Sequence, residues 1–203
     1  MEPPAVRSRR DEYADQTRAA VIDAARRLFA ENGFFQTKVE EIAKLSRVSP
    51  ATVYAQCGGK QGLLRSLMDG WTQAPIVAAT EREALLSDDP STVMRTLTDA
   101  YLHIVDDWGD VIQIVIDVAP HDHESASVLA TALRRHNRSL AVICRHLEEI
   151  GALRDGVDAR AAGRIITYFY GIDGLLRTRK VFGWPLSRAN AWLRDQTSAA
   201  VLR

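Results

Sequence analysis

The short segment that begins at Ser49 carries side chains that could bind DNA bases. If it is helical, at about 100° per residue with Val53 turned inward, its outward face carries Ala51, Thr52, Tyr54 and Ala55, with Pro50 and Gln56 at the margins. This face has no arginine or asparagine for bidentate base contacts, so its alanine and threonine methyl groups are predicted to contact thymine methyls. Gln56 is the one amide on the face that could read a base edge.

A second set of side chains suits the phosphate oxygens of DNA, which set the register of a protein without carrying sequence information. These residues are Thr37, Lys38, Ser49, Tyr54 and Lys60. In the alternative interpretation, Tyr54 is a packing residue and Lys60 is a solvated loop charge. Three arginines near the N-terminus, Arg7, Arg9 and Arg10, could add phosphate contacts, although such an arm is more commonly disordered.

The run from His121 to Glu124 has the side-chain chemistry of a metal site. Imidazole and carboxylate ligands suit zinc or nickel, but adjacent loop residues rarely converge on one ion without distant partners, so a polar loop is the simpler interpretation. Gly58 to Lys60 lacks the spacing of a phosphate-binding loop, and no serine or cysteine has a recognisable nucleophile context. The sequence therefore predicts no catalytic residues, no metal and no cofactor.

The two cysteines of the chain fit a reducing compartment better than a disulfide scaffold. Cys57 could sense oxidants if Lys60 stabilised its thiolate, but a lone cysteine usually behaves as a small hydrophobic residue. Cys144 lies in an apolar helical region and is predicted to pack in the core.

Two short helices must position the DNA-binding groups, and both have start signals. Thr37 and Glu40 form a capping box for the first, while Ser49 as N-cap and Pro50 at the first helical position begin the second. Because only residues 45–48 separate them, the pattern predicts a helix-turn-helix motif over 37–56. A third helix ended by Gly33 would cover this pair with the apolar stripe Val21, Ile22, Ala25, Leu28 and Phe29.

The run from Arg18 to Leu64 contains AARRLFAENGF, TKVEEIA, VSPATVY and GGKQGLL, which in this order and spacing resemble the TetR family of bacterial transcriptional regulators. The resemblance implies that Thr52, Tyr54, Gln56 and Lys60 contact DNA. It also implies a three-helix DNA-binding domain over residues 1–60 and a helical ligand-binding and dimerisation domain over 61–203.

Three positions depart from the family pattern. Arg47 stands where the turn usually has glycine, so a left-handed backbone there would carry a steric cost. Cys57 replaces an aromatic residue that usually packs behind the recognition helix, and Gln61 replaces a glutamate.

Beyond Lys60 the chain is predicted to be all-α, with helices joined by short loops. A connecting helix contains Leu63 to Trp71, and Ser91 can cap a helix that runs to about Asp107. The segment Val111 to Val118 has strand propensity, but a lone strand would have no partner, so we interpret it as a buried helix. Three further helices are predicted: one from about Leu133 to Ile150, one over 158–180, and one after Pro185.

Aromatic and ionisable residues within the apolar stripes of the second domain predict a ligand cavity. The candidate lining residues are Trp71, Tyr101, Trp108, Ile112, Val115, His136, Tyr168 and Phe169. His136 is the most informative, because it interrupts the spacing of Leu133 and Leu140 and could orient a ligand by hydrogen bonding. A core histidine with satisfied hydrogen bonds, and aromatics that only pack, are the alternatives.

Composition limits the remaining possibilities. The chain has 203 residues, of which 46% are apolar, which is enough for a substantial core. Its net charge is zero, and residues 1–60 carry ten Lys and Arg against eight Asp and Glu, so affinity for DNA must depend on local placement of charge. Because no stretch is long and apolar enough to span a bilayer, we expect a cytoplasmic protein with no membrane partner.

Taken together, these features predict a ligand-responsive regulator of transcription, a repressor that a small-molecule effector releases from its operator. One helix-turn-helix covers too short a site for specificity, so a homodimer on palindromic half-sites of double-stranded DNA is expected. In the family, the last two long helices form the dimer interface. The matching helices here are 158–180 and 186–202. Close approach of helices, at that interface or in the core, would explain the glycines Gly163, Gly171 and Gly174.

Two other interpretations belong to different functional classes. The first is a small helical metal-dependent enzyme that uses the His121 to Glu124 loop. The second keeps the fold but makes the N-terminal unit a protein-interaction surface. Metal content would test the first, and salt-dependent DNA binding would test the second.

Overall fold

The structure, a computed structural model, describes residues 9–203 apart from the side chains of Arg10 and Thr72. Arg7 and the side chain of Arg10, two of the predicted phosphate contacts, therefore lie outside the described residues. Over residues 9–203 the chain forms a 3₁₀ turn at Ala119–His121 and ten α-helices: α1 Arg9–Asn32, α2 Val39–Leu45, α3 Pro50–Cys57, α4 Gly59–Thr72, α5 Ile76–Ala84, α6 Pro90–Val118, α7 His123–Glu149, α8 Ala159–Tyr170, α9 Gly174–Phe182 and α10 Leu186–Val201. The predicted all-α fold is confirmed.

The helix-turn-helix consists of α2 and α3, but α2 begins one residue later than predicted. Its N-cap is Lys38, whose backbone N–H donates to the Glu41 carboxylate at 2.8 Å, so the capping pair is shifted from Thr37 and Glu40 by one position. The N-cap of α3 is Ser49 as predicted, and its hydroxyl accepts from the backbone N–H of Thr52 at 3.1 Å. The start of α3 is therefore fixed within four residues of sequence.

The apolar faces of α1, α2, α3 and α4 meet in one core, which we call the N-terminal core. Its buried side chains include Phe29, Ile42, Val53 and Leu63. The apolar end of α6, Val111 to Val118, closes this core from the side of the second domain. Because α6 contributes side chains to this core and to the core of the second part of the chain, the three-helix unit is packed directly against that part.

Helix α6 is a single helix, where the sequence predicted two. The N-cap is Asp89, whose carboxylate accepts from the Thr92 backbone N–H at 2.9 Å, and Ser91 therefore lies inside the first turn. The helix does not end near Asp107 but continues to Val118. The segment with strand propensity is helical, as interpreted from the sequence, because almost all of its apolar side chains are buried.

The helix predicted over 158–180 is interrupted, which is a further error in the predicted elements. Helix α8 ends at Tyr170 and α9 begins at Gly174. A side chain on Gly174 would overlap the carbonyl oxygen of Phe169, so the chain can reverse here only without a Cβ. Two of the three glycines thus serve the break between helices, whereas Gly163 packs on α7, where its Cβ would lie 3.8 Å from the Cys144 Sγ.

Candidate DNA interface and effector cavity

The outward face of α3 is open to solvent. Pro50, Ala51, Tyr54 and Ala55 are exposed, while Thr52 and Gln56 at the margins are half-buried. Val53 is fully buried in the N-terminal core, which is the orientation assumed in the sequence prediction. The Ser49 oxygen also lies 2.9 Å from the Thr52 hydroxyl, so both groups form part of the helix cap while they remain accessible at its end. The face presents methyl groups, one amide and one phenol, a set suited to a DNA groove.

Tyr54 and Lys60 both make packing contacts beside the exposed face of α3. Tyr54 is 59% exposed, yet its ring covers the backbone of Gly59, where a Cβ would lie 2.7 Å from the ring. The Lys60 ammonium lies 4.6 Å from the centre of the Phe34 ring and donates to the Phe35 carbonyl at 3.3 Å. Burial lowers the pKa of Lys60, so it is not a solvated loop charge. Its ammonium must leave the Phe35 carbonyl, or share it, to bind a phosphate.

Thr37 does not lie on this surface. Its side chain is 1% exposed, and its hydroxyl lies 2.8 Å from the Gly33 carbonyl oxygen and 3.1 Å from that of Leu28. The prediction of a phosphate contact is therefore wrong for the Thr37 side chain, because its hydroxyl ties the end of α1 to the start of α2. Lys38, the next residue, is exposed and remains a candidate phosphate contact.

The structure accounts for two of the departures from the family pattern. Arg47 has φ +58° and is the only residue other than glycine with a positive φ in the range 9–203, so the predicted steric cost is present. Cys57 is buried, and burial raises the pKa of its thiol although Arg18 acts in the opposite direction. A raised thiol pKa disfavours the thiolate, which is contrary to a role in sensing oxidants. Cys144 is fully buried, as predicted, and burial raises its pKa to about 12.

A cavity of about 330 Å³ lies between α4, α5, α6, α7, α8 and α9. Four of the predicted ligand-binding residues line it: Trp71, Tyr101, Ile112 and His136. At roughly 30 Å³ for each water molecule in the liquid, this volume corresponds to about eleven water-sized groups. It falls at the lower end of the range typical of small-molecule sites.

The other four predicted ligand-binding residues do not line this cavity. Trp108 packs against α4 and α1, and Val115 is fully buried in the N-terminal core. Tyr168 is 77% exposed on the outer face of α8, and Phe169 packs on the core of the second domain. Each belongs to an apolar stripe, but helical periodicity does not distinguish a stripe that faces a cavity from one that faces a core.

The polar groups of the cavity are concentrated on Tyr101 and its neighbours. The Tyr101 hydroxyl lies 3.0 Å from Nε2 of His136, and the Tyr101 ring stacks on Tyr170 with 4.6 Å between centroids. The Tyr170 hydroxyl donates to Asn190, with its oxygen 3.0 Å from Oδ1. Burial lowers the pKa of His136 and raises the pKa of both tyrosines, so all three side chains are uncharged at neutral pH.

Sequence reasoning missed several lining residues, among them Arg135, Asn137, Thr167 and Tyr170. Tyr170 had a signal, since it lies four residues after Ile166 and therefore on the same buried face of α8. Arg135 and Asn137 gave no signal of a cavity position, because polar residues of these types on a helix usually face solvent.

An ion pair connects α1 of the DNA-binding unit to α6 of the ligand domain. Arg26 donates through Nε and Nη2 to the two carboxylate oxygens of Asp110, with both distances 2.6 Å, and a further hydrogen bond reaches the carbonyl of Asp107. The guanidinium group also lies 5.1 Å from the centre of the Trp108 ring. On its other side Trp108 contacts α4, where a Cβ on Gly70 would be 2.9 Å from the indole. We call these three residues, Arg26, Trp108 and Asp110, the α1–α6 clamp.

The run from His121 to Glu124 forms a second connection between the N-terminal helices and the rest of the chain. Asp122 is the N-cap of α7 and accepts from the Gln61 amide at 3.1 Å, while Glu124 pairs with Arg65 of α4. The His121 ring packs edge-on against Phe35 at 5.9 Å. In the part of the chain that the structure describes, no three His, Cys, Asp or Glu side chains are grouped so as to hold a metal ion.

Both the sequence and the fold of this chain match those of known proteins. Residues 21–67, from the middle of α1 to the middle of α4, match the family model of bacterial regulatory proteins, tetR family. Over these residues, which form the helix-turn-helix unit, the chain is similar to the TetR family.

Among curated proteins, the probable HTH-type transcriptional regulator ArpR of Pseudomonas putida is 35% identical over 91 residues, which are 44% of this chain and 42% of that protein. The HTH-type transcriptional regulator TtgR, also of Pseudomonas putida, is 33% identical over 89 residues, again 44% of this chain and 42% of the relative. The chain thus spans less than half the length of the curated relatives it matches.

Similar solved structures cover almost the whole chain. A complex of SmeT with triclosan has a TM-score of 0.75 at 21% identity and covers 93% of this chain and 92% of that one. NalD, described as the secondary repressor of the MexAB-OprM multidrug efflux pump in Pseudomonas aeruginosa, has a TM-score of 0.70 at 22% identity and covers 95% and 98%. At these identities the likeness shows the fold.

None of the helices within residues 9–203 combines the length and the apolar character that a bilayer-spanning segment requires.

Proposed function

We propose that this protein is a homodimeric transcriptional repressor that binds operator DNA through α3 and leaves it when a small molecule occupies the cavity. The observation that carries the proposal is the position of α4. Its first turn packs on the end of the recognition helix, since a side chain on Gly62 would overlap the Cys57 carbonyl oxygen. Its other end places Trp71 in the cavity wall. One rigid helix therefore contacts both sites.

This geometry supports release by an effector. A ligand that fills the cavity contacts Trp71 and changes its position or its mobility. Because the backbones of α4 and α3 are in direct contact, α4 carries this change to α3. In a dimer the same movement changes the separation of the two recognition helices, which must match half-sites about 34–36 Å apart or a multiple of that distance. Coupling of this kind typically amounts to about 1–3 kcal/mol.

A second copy of the chain is the proposed partner for α8, α9 and α10. Tyr168 on α8 and Val181 and Phe182 on α9 are exposed large apolar side chains. Phe182 also stacks on Trp184 with 4.6 Å between centroids, which extends the apolar surface toward α10. Exposed apolar surface of this kind favours association, and a twofold dimer supplies the duplicated recognition helix.

The names of similar proteins support this class of function. ArpR and TtgR are named as transcriptional regulators, and SmeT is described as the repressor of a multidrug efflux pump in Stenotrophomonas maltophilia. The triclosan complex of SmeT also shows a small molecule bound to a protein of this fold. The metal-dependent enzyme has no comparable support, because its loop residues form an N-cap and an ion pair. A DNA-binding regulator of this kind is expected to act in the cytoplasm.

Salt-dependent binding of the protein to the intergenic DNA that flanks its gene tests the proposal. Footprinting should show two protected half-sites related by twofold symmetry, and log Kd should rise linearly with log salt concentration. Gln56→Ala should change the base preference at one position, while Lys38→Gln should weaken binding to all sequences about equally. A monomer with no affinity for duplex DNA at low salt would contradict the proposal and favour a protein-interaction surface.

Effector coupling is tested separately on the purified complex. A ligand that saturates the cavity, judged by quenching of Trp71 fluorescence, should lower operator affinity by about 5- to 150-fold. Trp71→Phe keeps an aromatic wall and is the control for the optical change. Saturation without any change in operator affinity would contradict release by an effector.

A further inference from the structure

The cavity contains a single formal charge, and that charge is positive. Among the described residues that line it, Arg135 is the only one with a charged side chain at neutral pH, since no Asp or Glu is present and His136 is uncharged. Arg135 is exposed at the surface of α7 and makes no ion pair with any other residue in the range 9–203. An unpaired guanidinium at the edge of an otherwise uncharged cavity is an available partner for an anion.

Three carboxylates on or beside the neighbouring helices have polar partners that do not line the cavity. On α6, Asp110 is held by Arg26, and next to α9 Asp173 is held by Arg177 at 3.1 Å. On α5, Glu81 accepts from the Ser139 hydroxyl at 2.6 Å, and neither residue lines the cavity. A cationic ligand would therefore find no carboxylate inside the cavity and would lie close to Arg135 instead.

We infer that the effector is an amphipathic organic acid, with its carboxylate on Arg135 and its apolar body in the cavity. This inference rests on the proposed function, because it assigns a chemical class to the ligand of the same cavity. The stacked rings of Tyr101 and Tyr170 and the indole of Trp71 provide an apolar surface for a body of about ten to twelve non-hydrogen atoms, close to the eleven water-sized groups that fit. Asn137 and Thr167 also line the cavity and supply hydrogen-bonding groups.

Two matched ligand series test the inference. One consists of decanoate, 1-decanol and decylamine, and the other of 2-naphthoate, 2-naphthylmethanol and 2-naphthylmethylamine. Each series keeps the apolar body and changes only the charge, which at pH 7.5 is negative, zero or positive. Dissociation constants are measured by isothermal titration calorimetry on the full chain at one fixed salt concentration.

In at least one series the acid is expected to bind the wild-type protein about tenfold more tightly than the alcohol, with the amine the weakest. Arg135→Gln should remove most of that preference and leave alcohol binding within about twofold. Arg138→Gln is the matched control, because it removes the same charge from an exposed position one turn further along α7 and outside the cavity. It should leave all affinities within about twofold, and Arg135→Lys should restore part of the preference.

Several outcomes would overturn the inference: an alcohol or amine that binds as tightly as its acid in both series, an equal loss in Arg135→Gln and Arg138→Gln, or no binding by any of the six compounds. Operator affinity, measured in parallel, separates this inference from the proposed function. If an alcohol binds best and releases DNA, the assignment of the effector as an acid is wrong and effector release stands. If an acid binds through Arg135 without changing operator affinity, the ligand class stands and release is wrong.

Discussion

Breaking the α1–α6 clamp is expected to reduce both stability and communication between the two halves of the molecule. The perturbation is a double-mutant cycle of Arg26→Gln, Asp110→Asn and the two together, which isolates the energy of the pair. At about 4 Å and an effective dielectric of about 20, two unit charges attract by roughly 4 kcal/mol. The Arg26 and Asp110 side chains are 32% and 35% exposed, so water screens much of that attraction.

Two reference values bracket the coupling energy of the pair. Exposed ion pairs contribute about 0.2–1 kcal/mol, whereas removal of one partner from a buried pair costs about 3–5 kcal/mol. The bidentate geometry and the contact with Trp108 should raise the coupling energy of Arg26 and Asp110 above that of an exposed pair. Their partial exposure should keep it well below the cost of breaking a buried pair. We expect a coupling energy of about 1–1.5 kcal/mol in urea unfolding monitored by circular dichroism.

The ion pair also predicts a pH dependence. Burial opposes ionisation of Asp110, but the Arg26 hydrogen bond, backbone hydrogen bonds and the Arg26 charge outweigh it and lower the pKa of Asp110 below its usual value of 3.8. Because the folded-state pKa is depressed, the stabilisation is fully present well above pH 3.8 and is lost as pH falls through the folded-state pKa. The wild-type protein should therefore lose stability below about pH 4 more steeply than Asp110→Asn.

Arg27 and Glu31 provide a matched control within α1. Their side chains form an exposed ion pair of 2.9 Å one turn apart, and the same cycle on this pair should give about 0.3–0.5 kcal/mol. Ligand release of operator DNA should weaken about threefold in Arg26→Gln and remain unchanged in Arg27→Gln, because only Arg26 reaches the ligand domain. A coupling energy for Arg26 and Asp110 no larger than that of the control pair would refute this reasoning.

Three further predictions concern single positions. Gly62→Ala should destabilise the protein by more than about 2 kcal/mol in urea unfolding because its methyl group would overlap the Cys57 carbonyl, whereas Gly163→Ala, with its Cβ at 3.8 Å from the nearest atom, should be tolerated. Arg47→Gly should raise the melting temperature, because it removes the strain of a left-handed conformation at a residue with a Cβ, which costs about 1 kcal/mol. An unchanged or lower melting temperature would count against strain at that turn. Tyr170→Phe should cost about 1–2 kcal/mol in urea unfolding by removing the hydroxyl bonded to Asn190, while Tyr168→Phe on the exposed face of α8 should change stability by less than about 0.5 kcal/mol.

The DNA-binding unit was largely predictable because its signals are local. Ser49 caps α3 through a hydrogen bond to a residue three positions away, and Gly58 and Gly59 both adopt positive φ between α3 and α4. The inward position of Val53 followed from helical geometry alone. Thr37 shows the limit of such signals, because its hydroxyl satisfies carbonyl groups from α1 instead of the cap of its own helix. The Thr37 hydroxyl could bond either to the cap of α2 or to the carbonyl groups of α1, and tertiary contacts favoured α1.

The sequence by itself determined the all-α class, the recognition helix and the face that α3 exposes, since caps, turns and apolar periodicity act within a few residues. Only the tertiary structure decided which aromatic side chains face the cavity: Trp71 lines it, and Trp108 contacts α1 instead. It also decided that Arg135, which looks like an ordinary surface arginine, stands at the edge of that cavity. A cavity is space that several helices leave between them, so its lining depends on their crossing angles and on the break after α8, which no local signal encodes.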